Sequence, residues 1–297
     1  MMLVSIYRRL FPLKLRTWIY KLFFGKFLFL FRNVDLILRS KFTFIFGFIL
    51  PENEGNKALS FIGKYGITSY PGDYVFDYKC FSIEVRHDSD LNLPYVIHKG
   101  NKLYFPEFWS AEKIEKEYRA LLIEQDPRCA HRYVQSYEEL RGMTLLDVGS
   151  AEGIFALDTI DFINEVIIFE CEEFWLTPLK ATFAPWLDKV RFVEKYVGNE
   201  THGKYITLDD FLKETPKENL FFKMDIEGTE REALKGAENL LKESKAIRFS
   251  ICTYHQAGDP EFMESLMKTY GFNCEFSDGL LCWNKRLSKG VIRCFKS

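Results

Sequence analysis

The spacing of apolar positions changes several times along the chain. Residues 13–33, LKLRTWIYKLFFGKFLFLFRN, read as a helix, with Pro12 suited to its first turn. Lys14, Lys21, Arg32 and Arg39 are spaced by 7, 11 and 7 residues, so one continuous helix would stack them in a single stripe. Aromatic side chains supply much of the remaining surface. Phe42, Phe44, Phe46 and Phe48 then alternate with Thr43, Ile45 and Gly47. Period two predicts a short strand, with a buried helix as the alternative. Leu50-Pro51 ends it, and ENEGNK reads as a linker.

Residues 57–143 form a small mixed region by pattern. Cys80 to Arg86 and Tyr95 to His98 read as strands, and HKGNK turns the chain into Leu103–Phe105 as a hairpin. AEKIEKEYRALLIEQ is helical, with Ser110 as its N-cap. From residue 143 short apolar runs alternate with helical ones. Strands are expected at Met143–Val148, Glu165–Phe169, Val190–Val197, Leu220–Met224 and Ile247–Thr253. Helices are expected at Glu173–Phe183, Leu208–Lys213, Glu230–Leu241 and Pro260–Tyr270. That alternation predicts an α/β fold with a Rossmann-like doubly wound sheet. The last runs, Cys274–Phe276, Leu280–Trp283 and Gly290–Phe295, suit antiparallel edge strands. The expected organisation is a basic aromatic N-terminal arm (1–50), an accessory α+β region (51–142) and a ligand-binding α/β domain (143–297).

Charge sharpens the picture of the arm. The chain of 297 residues has a net charge of -2, yet residues 1–50 carry nine basic side chains and one acid, Asp35. Their net of +8 leaves -10 for residues 51–297. Lysines interrupt every apolar window, so none approaches the roughly 20 residues a bilayer span requires. Two placements stay open for the arm: an interfacial helix on a membrane surface, or a helix packed on the main domain with its lysines snorkelling. Nucleic acid is not expected, because no base-reading motif accompanies the basic residues. A composition 47% hydrophobic and 28% charged excludes a disordered chain. Seven scattered cysteines without a CxxC pair argue against a disulfide framework or a zinc knuckle and suit a reducing cytoplasm. No secretory signal is read at the N-terminus.

In an open α/β sheet, ligands bind beyond the carboxyl ends of the strands. The first such end reads Asp147-Val148-Gly149-Ser150-Ala151-Glu152-Gly153, and the second ends at Glu170, 23 residues after Asp147. There a carboxylate can accept both hydroxyls of a ribose. A dinucleotide would need GxGxxG and a loop free of acids, so an NAD-dependent oxidoreductase is disfavoured. Acids in the loop suit S-adenosylmethionine, whose sulfonium and ammonium are cationic. Asp225 ends the fourth strand, with Glu227 two positions on, and His255 follows the fifth.

These pieces resemble the FkbM family of S-adenosylmethionine-dependent methyltransferases. LLDVGSAEGIFAL, IIFECEEFW, ITLDDFL, FFKMDIEGTEREALKGAENLL and SICTYHQ carry the likeness. LPYVIHKGNKLYFP and EQDPRCAHRY extend it upstream, and Glu170-Cys171-Glu172 departs from the Glu-Pro more common in the family. The resemblance implies a class I methyltransferase fold and O-methylation of hydroxyls on glycans or natural products. By position, Asp147, Gly149, Ser150, Ala151 and Gly153 would frame the methionine part of the donor. Glu170 and Cys171 would meet the ribose, and Tyr196, Val197 and Gly198 the adenine, with Asp225 beside the methyl group. His255 is the expected base and Asp225 its catalytic companion. His131, Arg132 and Tyr254 are candidate acceptor contacts; Arg132 could equally pin the accessory region. A divalent metal, magnesium or manganese, on Asp225, Glu227 and His255 is the less favoured alternative. The expected activity is O-methyl transfer to a saccharide or lipid-linked saccharide, in the cytoplasm or peripherally on the inner face of its membrane. A non-catalytic scaffold with the same fold is the competing reading.

Overall fold

The computed structural model describes residues 25–213 and 218–296. Lys14, Trp18, Lys21 and the rest of the expected helix before Gly25 lie outside the described residues. The chain divides into two compact units, residues 1–71 and 72–297.

In the first unit, α1 (Lys26–Arg32), α2 (Val34–Phe46) and α3 (Glu54–Tyr65) are helical. The run Phe42–Phe48 is therefore helix followed by a 3-10 turn at Gly47–Ile49, not a strand. A helix satisfies its backbone within the segment, whereas a lone strand needs a neighbour to pair with. ENEGNK is likewise the start of α3: the Asn53 side chain accepts from the Asn56 amide at 2.9 Å and caps the helix.

The second unit opens with a three-stranded antiparallel sheet, β1 (Arg86–Asp88), β2 (Leu93–His98) and β3 (Asn101–Tyr104). The β2–β3 turn uses Lys99 and Gly100, both at positive φ. Residues 81–85, expected as strand, carry no ladder; the Arg119 guanidinium instead ties down the carbonyls of Tyr78 and Phe81. Helix α4 (Ala111–Glu124) starts at its Ser110 cap.

The main sheet contains β4 (Thr144–Val148), β5 (Glu165–Phe169), β6 (Val190–Val193), β9 (Leu220–Met224), β10 (Ile247–Cys252), β11 (Asn273–Phe276) and β14 (Val291–Lys296). Their order is β6-β5-β4-β9-β10-β14-β11. The first five in that order are parallel, and β14 is antiparallel to both its neighbours. The order reverses between β4 and β9, so their carboxyl ends form the crevice where ligands of such sheets bind. All five residues of β9 are buried, as both faces of a parallel sheet require. Phe222 of β9 stacks on Phe249 of β10 with ring centroids 4.5 Å apart.

Some edges differ from the sequence pattern. The expected third strand breaks after Val193; β7 (Tyr196–Val197) pairs with β8 (Tyr205–Ile206) outside the main sheet. After α5 (Ile154–Thr159), α6 (Glu173–Thr182) and α7 (Leu208–Phe211), the expected helix over Glu230–Leu241 divides into α8 (Glu230–Lys235) and α9 (Glu238–Glu243). Gly236 lies between them, and a Cβ there would collide with the Gly198 carbonyl. β12 (Leu281–Trp283) forms a hairpin with β13 (Arg286–Ser288) rather than an edge of the main sheet. All seven cysteines are free.

Candidate active site

The β4 loop passes close beneath the end of β9. Gly149 has φ +78, and a Cβ on it would collide with the Asp225 carbonyl. The position therefore demands glycine twice, for its left-handed backbone and for the approach. Ala151 and Gly153 also have positive φ, so the loop is a tight series of turns.

Asp147 and Lys223 are directly opposed on β4 and β9. Their side chains are buried and lie 3.0 Å apart. The Asp147 carboxylate also accepts from the Ser150 hydroxyl at 2.7 Å, and the Lys223 ammonium donates to the Gly149 carbonyl. Burial alone would lower the Lys223 pKa, but the carboxylates of Asp147 and Asp225 more than offset this and raise it. Asp147 is thus tied to a cation of the protein itself. In the sequence Lys223 is marked only by its place two residues before Asp225, on the same strand face.

Glu170 follows β5 and gathers three amides. One oxygen accepts from Cys171 at 2.8 Å and Glu172 at 2.9 Å, the other from Ala151 at 3.1 Å. Burial raises its pKa, against the effect of these amides. Cys171 is buried beside it, and Tyr196 reaches back with its hydroxyl donating to Glu172 at 2.7 Å. Val197 is buried and the Gly198 amide donates to the Ile206 carbonyl, so residues 196–198 are held by the small β7–β8 pair. Glu152 lies in the same loop. Burial, with Glu124 nearby, pushes its pKa up to about 8.

Asp225 sits between two histidines. Oδ2 accepts from the Tyr133 hydroxyl at 2.9 Å and lies 3.4 Å from His131 Nε2; Oδ1 lies 3.6 Å from His255 Nε2. Burial would raise the Asp225 pKa, but His131, Lys223 and His255 hold it well below the usual carboxylate range. His131 Nε2 also meets the Tyr254 hydroxyl at 3.0 Å and Cys252 Sγ at 3.8 Å. Both histidines have pKa values raised overall: burial works against the charged ring, and neighbouring carboxylates outweigh it.

His255 is held by Glu230, which the sequence pattern marks only as the start of a helix. Glu230 is buried and accepts from the Ile226 amide at 3.0 Å and from His255 Nδ1 at 2.9 Å. An acceptor-only carboxylate there assigns the proton to Nδ1 and leaves the lone pair on Nε2. Nε2 is buried without a hydrogen-bond partner, 3.6 Å from Asp225 and 3.7 Å from the exposed Glu227. Rings of Tyr254 and Trp283 pack beside it at 4.2 and 6.0 Å. Asp225, Glu230 and His255 could also converge on a metal ion, as could His131, Asp225 and Cys252.

The structure does not bring Arg132 to this centre. Its guanidinium donates to the Val134 carbonyl at 2.8 Å, to the Gln125 carbonyl and to the Tyr137 hydroxyl at 3.2 Å. His131, Tyr133 and Tyr254 do converge on Asp225, because the segment carrying the first two is laced to the sheet. Ser250 Oγ and Arg293 Nε both donate to the Tyr133 carbonyl, at 2.7 and 3.1 Å.

Strand order and site together define a Rossmann-like α/β protein with a ligand crevice between β4 and β9. Residues 98–274, more than half of the chain, match the family described as the methyltransferase FkbM domain. The chain belongs to that family. Among solved structures it is similar to an FkbM methyltransferase from Methylobacillus flagellatus KT, at 19% identity and a TM-score of 0.43, over 62% of this chain and 54% of that one. The chain thus spans little more than half of that relative's length. It is also similar to magnesium protoporphyrin IX methyltransferase from Synechocystis PCC 6803, at 14% identity and a TM-score of 0.41, over 64% of this chain and 86% of that one. A third is precorrin-6y C5,15-methyltransferase from Geobacter metallireducens GS-15, at 13% identity and a TM-score of 0.36, over 54% of this chain and 86% of that one. No curated protein matches the chain.

Proposed function

We propose that the protein is an S-adenosylmethionine-dependent O-methyltransferase acting on a hydroxyl of a saccharide or lipid-linked saccharide. The observation that carries this reading is His255: Nδ1 anchored to buried Glu230, Nε2 buried, unpartnered and beside Asp225 at the sheet crevice. The donor-facing residues fit the cofactor. Glu170 offers a carboxylate held by three amides, and Gly149 leaves room for close backbone approach. Bound there, S-adenosylmethionine supplies an electrophilic methyl group.

The chain's own residues then handle the acceptor. His255 Nε2 takes the hydroxyl proton, and Asp225 stabilises the imidazolium that results. Tyr254 is buried beside His255, and half-buried Trp283 packs against both, an aromatic side chain suited to the C–H face of a sugar ring. Cytoplasmic action on a lipid-borne acceptor is part of the same proposal.

A neutral base is required, and His255 has a raised pKa. The rate is therefore expected to climb with pH through an apparent pKa above about 6.5. His255→Gln should lower turnover by about 10²–10⁴-fold and remove that limb. The acceptor is found by mass spectrometry of glycans and lipid-linked precursors from cells with and without the gene, as the loss of one methyl increment. Turnover abolished by chelator and restored by magnesium would move the role of His255 from base to metal ligand.

A further inference from the structure

Helix α2 packs on α3 through a face that is only partly apolar. An amphipathic helix in water turns its large apolar side chains inward. The buried face of α2 instead consists of Leu36, Ser40 and Thr43, two of them small and polar. It meets Ala58, Leu59, Ile62 and Gly63, the buried face of α3. The backbones come so close that a Cβ on Gly63 would collide with the Ser40 carbonyl. Lys41 Nζ closes the contact by donating to the Gly63 carbonyl at 2.7 Å.

Most of the large apolar side chains of α2 are exposed instead. Val34, Leu38, Phe42 and Ile45 follow one another by four, four and three positions, opposite the packed face, and all are exposed. Phe29, Leu30 and Phe31 before them, and Phe48 and Ile49 after, are exposed as well; Phe31 is 70% and Phe48 84% accessible. Small residues at the closest approach, Ser40 against Gly63, with large apolar ones outside, is an arrangement of helices that pack in lipid. A patch of this extent marks an interaction surface.

We infer that this face docks on the surface of an anionic lipid bilayer. Charge selects that occupant. Exposed Arg32 and Arg39 accompany the apolar stripe, and residues 1–50 carry a net +8 while the remainder carries -10. Anionic headgroups attract such an arm and repel the body, which orients the protein. A second copy of the chain would bring two such arms together at a repulsive cost. Among the described residues no helix is long and apolar enough to cross a membrane. α2, at about 20 Å, is well short of the roughly 30 Å hydrocarbon core, so it lies in the interface plane.

The test is flotation of the full-length protein with vesicles of equimolar phosphatidylcholine and phosphatidylserine, and with phosphatidylcholine alone. The wild type is expected to float with the anionic vesicles. The triple substitution Leu38→Asp, Phe42→Asp, Ile45→Asp should reduce partitioning at least about tenfold, since it removes the inserted face. Arg32→Ala with Arg39→Ala, which leaves the apolar stripe intact, should reduce binding to anionic vesicles about fivefold per charge removed. Thermal melting compares the fold of each variant with the wild type. A wild type that stays at the bottom of the gradient overturns the inference, as does equal flotation of the triple variant. So does a wild-type dimer that the triple substitution splits without any vesicle binding.

Discussion

Lys223→Met is expected to destabilise the protein by about 3–5 kcal/mol, the usual effect of removing one partner from a buried ion pair. The change leaves the Asp147 carboxylate buried with only the Ser150 hydroxyl in hydrogen-bond contact, and the Gly149 carbonyl loses its donor. The double substitution Lys223→Met with Asp147→Leu should recover most of that loss, because an apolar pair of similar volume needs no charge compensation. Urea midpoints of the three proteins, wild type, single and double variant, measure both statements. A single variant within about 1 kcal/mol of wild type would show that the pair contributes little. The pH dependence has a definite sign on each side. Lys223 has a raised pKa, so its contribution is complete below the ordinary lysine value of about 10.4 and is lost as pH rises beyond it. Asp225 has a lowered pKa, so its contribution is present above about 3.9 and is lost as pH falls further. These two groups make stability decline toward both extremes, while the raised values of His131, His255 and Glu152 add a loss as pH rises toward and past neutrality.

Glu170→Ala should weaken binding of S-adenosylhomocysteine by about 100-fold or more in calorimetry. Hydrogen bonds to a charged group contribute about 1.5–3 kcal/mol each, and a ribose offers two hydroxyls. The substitution also frees the amides of Ala151, Cys171 and Glu172, which the carboxylate now collects. Glu170→Gln separates the two effects. It keeps the length of the side chain but replaces one acceptor by an amide donor facing backbone N–H groups. If the melting temperature holds while affinity falls, the loss belongs to the ligand contact. Unchanged affinity in both variants would remove Glu170 from the donor site.

Much of the scaffold is legible along the chain. The runs Glu165–Phe169 and Leu220–Met224 are strands over those same residues, since short apolar stretches between polar turns have few other uses. The Ser110 cap starts its helix where its side chain can accept from Lys113. The Phe42–Phe48 repeat misleads because a run that is apolar on nearly every side fits period two and period 3.6 alike. Gly236 gives no local sign that its neighbour will be the Gly198 carbonyl.

The site divides along the same line. The sequence alone placed Asp147, Gly149, Glu170, Asp225 and His255 at the ends of successive strands, because strand ends follow from local apolar patterning and sheet ligands lie beyond them. What each side chain faces was settled only by tertiary structure. Register across β4 and β9 turns Asp147 to Lys223. Packing of α8 against the loop after β10 joins Glu230 to His255 across 25 residues. The lacing of residues 129–134 to the sheet sets His131 and Tyr133 against Asp225 across more than 90. Side-chain chemistry is local, but partners are chosen by long-range packing, which no pattern along the chain encodes by itself.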